Sequence, residues 1–144
     1  MKNRKISKTG VYVAALLVYI GVLLCAVLFT RGSMGKESLQ TELFWGYKTN
    51  DPKILYADNL YNILSYIPIG CLVGLIVPKH KLLTAMLLGL FLSETIECSQ
   101  LIWHKGTFDV DDLFNNTVGA IMGALIVILT TWIRNKVTKN ELKQ

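Results

Sequence analysis

Val11–Phe29 reads VYVAALLVYIGVLLCAVLF, nineteen residues without a charged side chain. A helix of that length rises about 28 Å, close to the ~30 Å hydrocarbon core of a bilayer. A helix in water shows an apolar stripe and not an apolar circumference. The block therefore predicts a membrane span. Three more follow it. Leu60–Val77 is uncharged, Leu82–Trp103 contains only Glu94 and Glu97 as charges, and Leu113–Ile133 is uncharged but carries Asn115 and Asn116. Spans over 11–29, 60–77, 82–103 and 113–133 predict an all-α membrane protein, a four-helix bundle forming one domain over residues 1–144. With no water in the bilayer core, each span must satisfy its own backbone as a helix.

Composition agrees. Of the 144 residues, 52% are hydrophobic and 17% charged, where a soluble domain carries about 25% charged residues. That balance excludes a disordered charged tail. Three cysteines, all within apolar runs, exclude a disulfide framework. The basic start (Lys2, Arg4, Lys5, Lys8) before an apolar run also fits a cleaved signal peptide, but the run is long for one and no A-x-A-like site follows. It is read as a retained span. With both termini on the cytoplasmic side, ten Lys and Arg face inward and five outward. The positive-inside rule favours that orientation. The net charge of +5 is then topological, and no nucleic-acid partner is expected. The long first outer loop contains SLQTELFWGYK (38–48), whose aromatic residues suit a short interfacial helix or an ordinary aromatic belt. Thr49–Pro52 reads as a turn.

Height along each helix then sorts the polar groups. Asn62, Glu97, Gln100, Asp109, Asp111, Asp112 and Asn116 all fall in one layer, just below the outer surface, whereas the inner halves of the spans are almost purely apolar. Glu97 and Gln100 are three apart and Asp112 and Asn116 four apart, so each pair shares a helix face. Asp109 or Asp111 is placed to cap the fourth helix. A carboxyl at this depth costs a few kcal/mol against lipid, so Glu97 is expected to face the interior or a wet cavity. These seven residues are the candidate binding site. Glu97 and Asp112 are candidates for acid–base work, and Asp109, Asp111 and Asp112 for oxygen ligation of a divalent cation. No resident cofactor is expected. The bland alternative is a hydrogen-bond network that only fixes packing. Gly70 and Gly74, and Gly119 and Gly123, form GxxxG pairs suited to close helix approach, extended by Ala120 and Ala124. Pro68 removes a backbone bond near Leu64.

The same residues carry a family resemblance. Asn62–Gly70 (NILSYIPIG), Ile96–Gln100 (IECSQ) and Phe108–Ala120 (FDVDDLFNNTVGA) resemble, in order and spacing, three motifs of VanZ-like membrane proteins. The match runs from Asn59 to Gly123. Tyr66 stands where Phe is common and Asn115 where an apolar residue is usual. Lys105 is the nearest base where many relatives have an Arg. The resemblance implies a small multi-pass protein of a bacterial plasma membrane, associated through the founding member with resistance to teicoplanin-type glycopeptides. Three functions follow as expectations. The first is a pocket at headgroup height that engages membrane lipid, a lipoglycopeptide or a lipid-linked cell-wall precursor. The second is an outer-leaflet enzyme on such a precursor. The third, a carrier built on Glu94 and Glu97, lacks a polar path through the inner half.

Overall fold

The computed structural model describes residues 7–30, 38–48, 58–104 and 106–142. Lys2, Arg4, Lys5, the turn expected at Thr49–Pro52 and Lys105 lie outside them. The elements, in chain order, are α1 (Lys8–Thr30), β1 (Ser38–Gln40), α2 (Trp45–Lys48), α3 (Asn59–Ile76), α4 (Lys81–Ile102), β2 (Thr107–Asp109) and α5 (Val110–Glu141). Helices α1, α3, α4 and α5 are each long and apolar enough to cross a membrane. They begin within three residues of the expected starts. Helix α5 continues eight residues past the expected end at Ile133. The apolar run stops there, but Arg134–Glu141 contains no proline or glycine to break a helix.

The architecture is mostly helical, as expected, with two small features beside the four long helices. Strands β1 and β2 form a parallel pair, with Ser38 opposite Thr107, Leu39 opposite Phe108 and Gln40 opposite Asp109. Three-residue strands carry too little alternation to be visible in sequence. Within 38–48, only Trp45–Lys48 is helical, a single turn.

Helices α3 and α5 run parallel and touch backbone to backbone. A Cβ added at Gly70 would strike the Ala120 carbonyl, one at Gly119 the Ile63 carbonyl, and one at Gly123 the Ile67 carbonyl. Both GxxxG pairs thus lie in one interface, as close packing in lipid requires. Helix α4 closes on α5 at Gly89, where a Cβ would come within 2.7 Å of the Ala120 Cβ. The core gathers Tyr66, Ile69, Val73, Ala85, Leu92, Ile96, Ala120 and Ala124. Helix α1 is peripheral: none of its described residues is buried, and Tyr19, Leu23 and Val27 rest against that core. The Tyr19 hydroxyl donates to the Ser65 carbonyl at 2.8 Å, three residues before Pro68. The carbonyl that Pro68 leaves without its helical donor is the neighbouring one, that of Leu64. At the far end of the bundle, Lys81 Nζ donates to the Gly74 carbonyl at 2.7 Å, satisfying a carbonyl of the last turn of α3.

Candidate functional site

The site is built around the first turns of α5. Asp109 is extended at φ −122° and its carboxylate accepts the Asp111 N–H at 2.8 Å, so it caps the helix. Burial pushes the Asp109 carboxyl above its ordinary range, against the lowering effect of that N–H and with the carboxylates of Asp111 and Asp58 adding to the rise. From there, consecutive residues face different ways. Asp111 and Asn115 form one stripe, Asp112 and Asn116 the next, each pair being one turn apart.

The Asp111 stripe holds the chain between the first two spans. The buried Asp111 carboxylate accepts the Phe44 N–H at 2.5 Å and the Gly46 N–H at 2.8 Å. Phe44 has φ 63°, a left-handed conformation rare for a side chain of this size, and Phe114 meets its ring edge to face at 5.2 Å. Gly46 is buried, and a Cβ there would lie 3.1 Å from the Asn59 amide and 3.3 Å from Asp111. Asn115, fully buried, donates to Asn59 Oδ1 at 2.9 Å and accepts from the Tyr47 hydroxyl. Burial raises the Tyr47 pKa, helped by the nearby Asp111 charge and opposed by the Asn115 bond.

The Asp112 stripe lines a cavity. Asp112 Oδ1 accepts from Asn62 Nδ2 at 2.5 Å. Asn116 Nδ2 donates to Ser93 Oγ at 2.8 Å, and Ser93 Oγ reaches the Asp112 carbonyl at 3.4 Å. Glu97, 1% exposed, accepts the Asp109 N–H at 3.0 Å, tying α4 to the start of α5. The cavity of about 100 Å³ is bounded by all four long helices: Leu23, Ala26 and Val27 of α1; Tyr61, Asn62, Ser65 and Tyr66 of α3; Ile96, Glu97 and Gln100 of α4; Asp112 and Asn116 of α5. A second hollow of about 340 Å³, lined mainly by apolar residues of α1 and α3, shares Leu23, Ala26, Tyr61 and Ser65 with it. The polar cavity thus adjoins, across these shared walls, a more apolar hollow between α1 and α3.

Five of the seven sequence candidates therefore meet: Asn62, Glu97, Gln100, Asp112 and Asn116. Asp109 and Asp111 do not line the cavity. The three aspartates diverge into a cap, a clamp and a cavity wall, and no group of three or more His, Cys, Asp or Glu able to hold a metal occurs among the described residues. Glu94, one turn from Glu97, is exposed. Sequence reading missed Asn59, Asn115, Tyr47, Ser93 and Tyr66. Asn115 was the visible clue, since it repeats Asp111 one turn later.

A family model described as VanZ/LLP1 matches residues 16–131. The chain belongs to the VanZ/LLP1 family. No curated protein and no solved structure gives a significant match. The three VanZ-like motifs coincide with the cavity: Asn62 and Tyr66 lie in the first, Glu97 and Gln100 in the second, Asp112 and Asn116 in the third. With four helices able to span, this VanZ/LLP1 protein is a multi-pass membrane protein.

Proposed function

We propose that the chain binds the polar end of an amphiphile in the cavity, at headgroup height on the outer face of a bacterial plasma membrane. Through that binding it contributes to protection against lipid-tailed glycopeptides of the teicoplanin type. The observation that carries the reading is the adjacency of a polar cavity and a more apolar hollow between α1 and α3. A lipid-tailed molecule has the same two halves, and pockets that place a few polar groups in apolar walls are the usual form of small-ligand sites. The count of ten against five basic residues supports an outward cavity.

The test is glycopeptide susceptibility with and without the gene, complemented by wild type, Asp112→Leu and Asn116→Leu at matched membrane levels. Deletion is expected to raise sensitivity, and the two variants are expected not to restore it. Full restoration by both variants would overturn the reading. A reaction on a lipid-linked precursor is the second reading. It rests on Glu97 and Asp112, the candidate acid and base, bordering the same cavity. Conversion of a labelled precursor by the purified protein, lost in Asp112→Asn, is its expected signature.

A further inference from the structure

The segment that Asp111 holds is built inside out. Its backbone turns inward: Gly46 is buried, and the Phe44 and Gly46 N–H groups donate to the Asp111 carboxylate. Its side chains turn outward. Leu43, Phe44, Trp45 and Tyr47 are 38–44% exposed, as is Phe114 of α5. The Phe44 ring meets Phe114 at 5.2 Å and Tyr47 at 6.1 Å, both edge to face, and Leu43 and Trp45 flank it in the chain. Water favours the reverse arrangement, apolar side chains inward and loop backbone outward. The arrangement also holds Phe44 at φ 63°, an unfavourable backbone region for a large side chain, so the two bonds to Asp111 sustain a local strain that serves to display apolar groups. Contiguous exposed apolar surface of this kind marks an interaction face.

Three observations say what covers it. The patch is continuous with a span. Phe114 lies four residues after Val110, where the membrane-crossing helix α5 begins. That is about 6 Å along the axis, the thickness of the headgroup layer on one side of a bilayer. The patch is also electrically neutral. Glu42 and Lys48 are the only charged residues of 38–48, and they pair with each other at 2.6 Å, which leaves no net charge to steer a charged partner. Finally, the Tyr47 hydroxyl donates inward to Asn115. A tyrosine of an ordinary aromatic belt keeps its polar tip among the headgroups, whereas Tyr47 shows them ring carbon. We infer that 43–47 docks on the bilayer itself, laying Leu43, Phe44 and Trp45 into the headgroup layer of the leaflet that surrounds the start of α5. The partner is a lipid surface, and the contact is independent of what the cavity binds. Because Asp111 and Asp112 are adjacent, a segment fixed at that depth fixes the cavity wall at that depth too.

The test uses the full chain with Trp103→Phe and Trp132→Phe, both at exposed positions, so that Trp45 is the one tryptophan left. The protein is reconstituted in phosphatidylcholine vesicles. Trp45 emission is expected to be blue-shifted from that of free tryptophan. It is expected to be quenched more by phospholipid spin-labelled near the headgroup than by phospholipid labelled near the terminal methyl, and little by aqueous iodide. A second measurement keeps all three tryptophans. With Cys25, Cys71 and Cys98 replaced by alanine, Leu43→Cys and Lys48→Cys are each labelled in the same vesicles with a membrane-impermeant maleimide, and each rate is divided by that of the denatured chain. The Lys48 side chain, 62% exposed, marks the water-facing edge. Leu43→Cys is expected to react about tenfold more slowly, the ratio that burial of one small apolar side chain supplies. Iodide quenching as complete as that of free tryptophan, with neither lipid label effective, overturns the inference and gives the patch to a protein partner. Equal labelling rates overturn it as well. Stronger quenching by the deep label also overturns it, since the segment then lies in hydrocarbon and not among headgroups.

Discussion

Asp111 and Asp112 are neighbours in sequence with unlike work, and the difference follows from where each carboxylate ends. Asp111 is 1% exposed and spends both oxygens on backbone N–H groups of Phe44 and Gly46. Bonds to a charged acceptor are worth more than neutral ones, and removing the acceptor leaves buried donors unsatisfied. Asp111→Ala is therefore expected to cost about 3 kcal/mol. The loss should appear as a lower thermal midpoint in detergent and as new proteolytic cleavage within 38–48. Asp112→Asn retains an acceptor for Asn62 and is expected to lower the midpoint less than Asp111→Ala does, without new cleavage within 38–48. Equal midpoints for the two variants would show that Asp111 does not hold the loop.

The helices were legible in the sequence because lipid imposes one rule on a whole segment: twenty or so apolar residues with internally satisfied backbone. The GxxxG pairs were legible for a similar reason, since only glycine permits carbonyl-to-Cα approach at Gly70, Gly119 and Gly123. Gly123→Leu is expected to lower the unfolding midpoint severely, well beyond the 1–3 kcal/mol typical of overpacking, because the obstacle is the Ile67 carbonyl and the Cys71 backbone nitrogen rather than a mobile side chain. Met122→Leu, on the exposed face of the same turn, is the control and should be neutral. The layer of polar residues was legible from height along the spans. The division of that layer was not, because the rotation of α5 about its axis decides whether Asp111 or Asp112 meets the cavity, and i, i+4 spacing fits both stripes equally. The clamp of Asp111 on the loop left no side-chain signature, since its partners are backbone groups. Ser93 and Tyr66 look like ordinary residues of an apolar span until α5 is packed against them.

Along α4 and α5, acidic and basic side chains gather at opposite ends. Asp109, Asp111 and Asp112 begin α5, and Glu97 sits opposite them on α4. Lys79 and Lys81 turn the chain from α3 to α4, and Arg134, Lys136 and Lys139 continue α5 past its apolar run. Basic residues near span ends are held on the cytoplasmic side, reinforced by anionic lipid of that leaflet, whereas acidic residues contribute little to orientation. The basic end therefore decides, and the cavity is expected to open outward. Two exposed positions report this directly: Leu39 near the acidic end and Leu142 beyond the basic one, 63% and 82% exposed. In a background with Cys25, Cys71 and Cys98 replaced by alanine, Leu39→Cys is expected to react with a membrane-impermeant maleimide in intact cells. Leu142→Cys is expected to react only after permeabilisation. Both positions are accessible in the fold, so a difference between them reports the side of the membrane and not burial. The reverse pattern would put the carboxyl-lined cavity in the cytoplasmic leaflet. An antibiotic arriving from outside could not then reach it, while the fold and the two stripes of α5 would be unaffected.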